Sequence, residues 1–502
     1  MTDRPFPPGD YPVVVVGTGP GGLQLSYDLR RHGVEHALLS RDEGPAGMFR
    51  HFPLFQRLNT SVRRFSVEPR GSAAFYRTDW NSLVTDVPEH QALLAEFMDG
   101  ESYFPVRAEI EQAYTAFAQR GGVAARYGCT WESTRQVDGG FVVGTSDGEY
   151  RCRFAVFAVG MAAPWRPANT PGIELVPHYD DLRGRTGESF QGKRIFVIGK
   201  RNSAYEIAEA LLPWAAQMIL GSPHHSNPSV NTAFPTAPRA RYLNAFEDSA
   251  FGGGTFALDC AIKGIEQAGA GWRVHTEGTT SEWSRAFEVD EVIATTGFAT
   301  PLGDLPGLGV ETFHKDRLPT QTPYWESTTV PGIFFAGAAT QGQVGMRKYG
   351  WPSSSASIAG FRFNAQVQAV ELARRLGIEP KRPTLEPEQV VPFLLDRVTH
   401  SAPLWRQASH LAHQVSLDPA EGIRDEGVQP LAPFVDSSGP PAVAIAVELD
   451  PDQRLQPCAY VRGPKGVTEH VLFPDALHDF TSAEYAAALG DALKDILPVA
   501  VQ

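Results

Sequence analysis

Residues 12–49 read PVVVVGTGPGGLQLSYDLRRHGVEHALLSRDEGPAGMF. The four valines at 13–16 make a short apolar run suited to a buried parallel strand. Gly17-Thr18-Gly19-Pro20-Gly21-Gly22 follows at once, then a helical pattern over 23–31, a turn at Gly33 and a second apolar run over 36–39. Strand, glycine turn, helix and strand in this order predict a dinucleotide-binding unit. Gly17 allows the tight turn, Gly19 lets backbone approach a pyrophosphate, and Gly22 lets helix and strand pack closely. The helix N-terminus would offer free N–H groups and a positive dipole end to the phosphates. Gly17, Gly19, Pro20, Gly21 and Gly22 are therefore candidate cofactor-binding residues.

A second unit of the same kind starts near Gly192. Residues 194–198 read as a strand, Gly199-Lys200-Arg201-Asn202-Ser203-Ala204 as the turn, 205–212 as the helix and 217–220 as the next strand. Arg201 stands where the middle glycine is usual. It either faces a phosphate or is a solvated turn arginine.

Between and beyond the two units the chain changes character several times. Residues 44–66 mix aromatics, arginines and turn formers and read as a loop; 89–120 read as mainly helical, with a helix starting at Tyr103-Phe104-Pro105. Strand-like runs follow at 123–127, 140–144 and 150–159. The last ends in Ala158-Val159-Gly160 and leads into Pro164, Pro167 and Pro171-Gly172, which suits a crossover between domains. Residues 223–256 are rich in proline and glycine and read as an insert or lid over the second unit. AFEVDEVIATTGF (286–298) is strand then turn, GIFFAGAATQG (332–342) is a buried strand ending in glycine, and 345–375 are a glycine-rich turn followed by a helix. From about Glu379 the pattern becomes amphipathic and helical over 390–412, broken into two helices by Pro403. A β-meander is expected over 442–449, 458–462 and 470–473, then a closing helix over 482–496.

The whole chain has 502 residues, 42% hydrophobic and 20% charged, with net charge −13. That size predicts several domains, and the acidic balance argues against nucleic acid as a partner. No run approaches the roughly 20 apolar residues of a membrane span, and MTDRPFPPGDYP lacks the apolar core of a signal peptide. The expectation is a cytoplasmic protein with no membrane partner; homo-oligomerisation is left open. Cys129, Cys152, Cys260 and Cys458 form no CxxC pair, which speaks against a built-in dithiol relay and a structural zinc site. No metal site is expected.

Taken together, GTGPGG first and GKRNSA second resemble a two-dinucleotide-binding flavoprotein. Gly47-Met48-Phe49 sits where class B flavin-dependent monooxygenases have GG-aromatic, and Asn59-Thr60-Ser61 resembles their NTS segment beside the flavin. Tyr103-Phe104-Pro105 resembles their YP helix start. DEVIATTGF (290–298) resembles the D-x3-ATG-Y/F motif of N-hydroxylating monooxygenases, and GFRFNA (360–365) the GFRYTA segment of FAD-dependent oxidoreductase-domain proteins. The resemblance spans residues 12–375. Three departures stand out. Ser40-Arg41 replace the acid expected at the adenosine ribose, with Asp42 as a substitute. The FxGxxxHxxx(Y/F/W) fingerprint survives only as a stretched Gly172 and His178-Tyr179, against a Baeyer–Villiger assignment. The second turn lacks its central glycine.

The resemblance implies an α/β fold with two Rossmann-like three-layer domains and a small C-terminal α+β domain. Residues 1–185 and 286–378 would form a discontinuous FAD-binding domain, 186–285 an NAD(P)H-binding domain with a turn-rich insert, and 379–502 the appended domain. FAD would be held by the first turn with Ser40, Arg41, Gly47, Met48, Phe49, Gly160, Gly297 and Gly337. NADPH or NADH would be held by Gly199, Lys200, Arg201, Asn202, Ser203 and Ser222, with Lys200, Arg201 and Ser222 as candidates for a 2′-phosphate. Asn59 is the candidate catalytic residue beside the flavin, or else a turn asparagine. Arg347, Lys348, Tyr349 and Trp351 would receive an anionic or aromatic substrate, or else lie on the surface. The implied activity is a monooxygenase that uses NAD(P)H and O2 to oxygenate a small molecule through a C4a-(hydro)peroxyflavin. A reductase passing electrons through FAD to another acceptor, and a non-catalytic nucleotide-binding module, remain open.

Overall fold

The valine run lies in the middle of a parallel sheet because both of its faces are covered; Val13, Val14 and Val15 are fully buried. The computed structural model describes residues 4–50, 57–58, 60–228, 239–343, 353–452 and 454–497. In chain order the first part contributes β1 (Gly9–Val16), α1 (Pro20–Arg31), β2 (His36–Leu39), α2 (Arg107–Arg120), β3 (Trp131–Val137), β4 (Gly140–Thr145) and β5 (Gly148–Phe157). The short β6 (Ala163–Pro164) leads out to β7 (Arg194–Ile198), α3 (Asn202–Leu211), β8 (Gln217–Ser222), α4 (Ala240–Phe251), β9 (Thr255–Ala268), β10 (Gly271–Gly278), β11 (Ser284–Val289) and β12 (Glu291–Ala294). The chain returns through β13 (Phe298–Ala299), which pairs antiparallel with β6. It continues through the hairpin β14 (Thr312–Phe313) and β15 (Leu318–Pro319) to β16 (Ile333–Phe335) and α5 (Ile358–Arg375).

The first sheet runs β2-β1-β5-β4-β3, with β16 also pairing β5. β1 is parallel to both β2 and β5, and β16 is parallel to β5. α1 and α5 pack on one face through Leu25, Leu29, Ala365, Ala369 and Leu372, all in one buried cluster. The second sheet runs β11-β10-β9-β8-β7-β12. Its α3 and α4 bury Ile207, Leu211, Tyr242 and Phe246 against Ile195 and Val197. Both sheets join a parallel half to an antiparallel meander, and the β6–β13 pair links them. The fold is α/β with two Rossmann-like units.

The third sheet follows α6 (Pro387–His400) and α7 (Ala402–Arg406). It is built from β17 (Leu411–Asp418), β18 (Gly422–Pro430), β19 (Ala442–Leu449), β20 (Leu455–Gly463) and β21 (Gly466–Val471), antiparallel in the order β18-β17-β19-β20-β21. α6 and the closing α7-distal helix α8 (Ala483–Leu493) cover one face through Val390, Leu394, Val398 and Leu489.

Several expectations are corrected. The helix near Tyr103 begins only at Arg107, because Val106 is an extended cap whose N–H donates to the Glu109 carboxylate at 2.7 Å. Residues 123–127 make one isolated bridge, Arg126 to Leu39, and no strand. The turn-rich stretch contains α4; the spacing of Tyr242, Leu243 and Phe246 marks a buried helical face that the prolines and glycines around it obscured. The change of domain expected at 286 falls inside β11, and β12 pairs in parallel with β7, so the second sheet continues to Ala294. Pro403 lies in the first turn of α7, where its missing N–H breaks no helical bond, and the helix break is at Ser401. Leu411 and Ala412 belong to β17 rather than to a helix. None of the described helices is long and apolar enough to cross a membrane.

Candidate functional site

The first turn is shaped by backbone contacts. Gly17 donates its N–H to Leu39 O at 2.7 Å and holds φ at +112°. A Cβ there would come within 2.5 Å of Ala158 O. A Cβ on Gly22 would come within 1.9 Å of Gly17 O, and one on Gly21 within 2.2 Å of the Gly337 Cα. Gly19 has open space on that side. It caps α1 without a side-chain cap, and Pro20 opens the helix, leaving the helix N-terminus to whatever approaches it.

The wall opposite is the 3₁₀ segment Gly337–Gly342, which starts at Gly337 with φ +68°. Thr340 in that segment donates to Gly337 O at 2.7 Å. At the end of β2 the buried Ser40 hydroxyl accepts from Thr18 Oγ1 at 2.8 Å and from the Asp42 N–H at 3.2 Å. The Asp42 carboxylate lies against Gly47, where a Cβ would be 2.5 Å from Oδ2. An acid therefore does stand near the end of β2, two residues late. Arg41 is exposed, as is Met48. Phe49 instead packs inward, its ring 5.9 Å from that of Tyr114. Gly160, φ +67°, has open space around it just beyond β5.

The second turn repeats the first glycine and little else. Gly199 donates to Gly221 O at 2.8 Å, and a Cβ on it would come within 2.3 Å of Thr295 Oγ1. Lys200 is buried and ion-paired with Asp259, which also pairs with His225. Its charge is engaged by that carboxylate, which stands opposite Ser222 in the β8–β9 register. Arg201 is exposed, Asn202 Oδ1 accepts from the Arg239 N–H at 3.2 Å, Ser203 is half-buried, and Ser222 Oγ donates to His224 O at 3.4 Å.

Arg201 belongs to a cationic corner that no motif announced. Arg317 donates Nε and Nη2 to Phe298 O at 2.9 and 2.7 Å and lies 4.9 Å from the centre of the Trp165 ring; Lys315 Nζ is 5.7 Å from the same ring. Burial and then the Arg201 charge hold the Arg317 pKa down. Burial, then Arg317, Lys315 and Arg201, do the same to His314. Gly297, φ +94°, sits beneath: a Cβ there would be 2.9 Å from Arg317 Nη2. His178 holds the other side of Gly297, its Nε2 3.1 Å from Gly297 O. It is fully buried, and desolvation lowers its pKa to about 4. The neutral ring donates Nε2–H to that carbonyl.

Asn59, Arg347, Lys348, Tyr349 and Trp351 lie outside the described residues. The four cysteines are buried and unpaired by disulfides; burial pushes the Cys152 thiol up to about 12 and the Cys260 thiol up to about 11. Among the described residues no group of three or more His, Cys, Asp or Glu side chains is placed to hold a metal ion.

A family model described as pyridine nucleotide-disulphide oxidoreductase matches residues 14–337. FAD-dependent oxidoreductase domain-containing protein 2 of Danio rerio is 29% identical over 214 residues, 42% of this chain and 30% of that protein. Indole-3-pyruvate monooxygenase YUCCA1 of Oryza sativa subsp. japonica is 27% identical over 210 residues, 39% of this chain and 43% of that protein. The match thus spans less than half the length of each relative. Among solved structures, a bacillithiol disulfide reductase from Staphylococcus aureus shares the fold with a TM-score of 0.56 at 16% identity, over 73% of this chain and 99% of that one.

Proposed function

The chain belongs to the pyridine nucleotide-disulphide oxidoreductase family, and on that premise we propose that it is an FAD-dependent oxidoreductase that takes electrons from NADPH or NADH and uses O2 to oxygenate a small molecule. The observation that carries this reading is the repeated turn. In each sheet the first glycine is tied to the end of the next strand and wedged against the residue that follows a third parallel strand, Ala158 in one case and Thr295 in the other. That arrangement twice in one chain fits two dinucleotides.

The first turn fits FAD because it is a cradle that any Cβ would fill at Gly17, Gly21 and Gly22. Its open side, at Gly19, is where a pyrophosphate would meet the α1 N-terminus. Ser40 and Asp42 would reach the adenosine ribose, with Gly47, Gly160, Gly297 and Gly337 closing the surroundings. FAD, when bound, would supply hydride acceptance from nicotinamide and reaction of the reduced ring with O2. The chain's part is to bind, orient and exclude water.

At the second turn Gly199, Asn202 and Ser203 shape the loop, and Arg201, His314, Lys315 and Arg317 gather positive charge that would draw a polyanionic nucleotide. With Lys200 engaged by Asp259, Arg201 and Ser222 are the better candidates for a 2′-phosphate. Asn59 would sit beside the flavin, and Arg347, Lys348, Tyr349 and Trp351 would take the substrate. Burial raises the Cys129, Cys152 and Cys260 thiols, which supports oxygen chemistry over a relay through them.

One observation favours a second reading, electron transfer through FAD to another acceptor. His178, the nearest approach to an oxygenase fingerprint, is sealed against Gly297. One experiment separates the two. NADPH or NADH is added anaerobically to the FAD-loaded protein, then air is admitted with a panel of amines, sulfides and ketones. Bleaching of the flavin followed by oxygenated product in step with nucleotide consumption is the expected result. Bleaching without such product supports the reductase, and a protein that takes up no FAD ends both readings.

A further inference from the structure

The C-terminal domain lies beyond the segment that the family model matches, yet its first corner reaches the first turn's wall. Gln407 caps α7 and is 1% exposed. Its backbone is fixed within its own domain: the N–H donates to Pro403 O at 2.9 Å, and its carbonyl accepts from His410 and Leu411 at 2.9 and 3.0 Å. Its side chain points the other way. Oε1 accepts from the Ser354 N–H at 3.0 Å, and Nε2 donates to Ser355 Oγ at 2.9 Å and Asn364 Oδ1 at 2.5 Å.

From there the bonds run without a gap. Asn364, on α5, donates Nδ2 to Thr340 Oγ1 and to Ser355 Oγ, both at 2.9 Å. Thr340 donates to Gly337 O at 2.7 Å, and the Gly337 backbone touches Gly21 of the first turn. Asn364, Thr340 and Ser355 are as buried as Gln407. A second strut runs beside the first: His410 Nδ1 lies 3.2 Å from Gln343 Oε1, both buried. Gly360 makes the approach feasible, since a Cβ there would be 2.4 Å from Ser354 O.

We propose that Gln407 is a positioning residue for the first nucleotide site, setting the wall at 337–343 against the turn at 17–22 through Asn364 and Thr340, so that the C-terminal domain completes the FAD site. This rests on FAD occupying the first turn. A fully buried chain of bonds in which each amide and hydroxyl has its partner transmits position, because losing one member strands the next. The same domain junction also has a part whose bonds run to residues 77–80 and not to the 337–343 wall. Arg406 donates to Arg77 O with its guanidinium 4.5 Å from the Trp80 ring centre, and Arg77 donates to Thr399 O and lies 3.9 Å from the Trp405 ring centre. That part gives the control.

The test compares Gln407→Leu, Thr340→Val and Arg406→Met, reading FAD affinity by fluorescence on dilution, visible circular dichroism of the bound flavin, and thermal unfolding of the apoprotein. Gln407→Leu and Thr340→Val should each weaken FAD binding by about tenfold and alter the flavin dichroism. Arg406→Met should lower the melting temperature while leaving both flavin readouts as in the wild type. Wild-type FAD affinity and dichroism in a folded Gln407→Leu or Thr340→Val protein would overturn the proposal. So would equal flavin effects in all three variants, which would mean adhesion alone. Wild-type protein that takes up no FAD overturns it together with the function it rests on.

Discussion

The two glycine turns start alike and then part. Gly17 and Gly199 have positive φ, +112° and +133°, and each donates to the end of the neighbouring strand at 2.7 and 2.8 Å. After that, the first turn leaves no room for a Cβ at Gly21 or Gly22, where backbone meets backbone. The second turn carries Lys200, Arg201, Asn202 and Ser203 in the corresponding places. The first is specified by close approach and the second by charge. Close approach suits a ligand that stays; charge suits one that comes and goes and feels salt.

The harshest way to break this contrast is a methyl group. Gly22→Ala puts a Cβ on the Gly17 carbonyl, where neither backbone can give way. It should abolish FAD retention and cost more than about 4 kcal/mol of stability. Ser203→Ala, at the second turn, should leave both nearly unchanged. Flavin content and denaturant melts of the two variants measure the difference. A Gly22→Ala protein that keeps FAD would show that the first turn tolerates side chains after all.

Much of the contrast was legible beforehand, for a physical reason. The valine run, the glycine spacing and Arg201 in place of a glycine are all local features of a strand-turn-helix unit. What stayed hidden depends on partners far along the chain. Nothing near Lys200 announces that Asp259 will neutralise it. The cationic corner needs the 314–317 hairpin tip to fold back over Trp165. Gln407 is an ordinary glutamine until α7 places it beside Asn364. The strand β17 resembles a helical stretch in sequence because its residues are buried on both faces over 411–413, so the alternation that marks a half-exposed strand is missing.

Asp28, in the first unit, and His178, bridged in parallel to Ala294 at the edge of the second sheet, titrate in opposite senses. On α1, burial raises the Asp28 carboxyl to about 7, against the Gln24 hydrogen bond at 2.9 Å and the Arg31 charge that lower it. The folded chain then holds a proton that the unfolded chain releases near pH 4, so this group's contribution to stability falls as pH rises through 4–7, by on the order of 4 kcal/mol. His178 behaves conversely. Its folded pKa is depressed to about 4 by desolvation, so the unfolded chain binds the extra proton and stability is lost as pH falls from about 6.5 to 4, by on the order of 3 kcal/mol. In the wild type these slopes oppose each other. Asp28→Asn should unmask the His178 limb, giving stability that rises with pH over this window. His178→Gln, which keeps a donor for Gly297 O, should unmask the Asp28 limb and give the reverse. Urea melts between pH 4 and 8 read both, and parallel profiles for the two variants would remove this distinction between the two groups.

The mildest change sharpens the comparison most directly. Arg201→Gly restores the usual glycine to the second turn without touching its fold, since Arg201 is exposed and extended just before α3. If charge is what the second turn contributes, the variant loses affinity for NADPH by about two- to fivefold, the scale of one exposed ionic contact. The loss should shrink as salt is raised, because the wild type alone has that contact to screen. FAD retention should not move, as the first turn is served by different atoms. Titrating nucleotide at two ionic strengths gives the answer. Tighter NADPH binding by the glycine variant would mean that the second turn, like the first, works by close approach, and that Arg201 obstructs it.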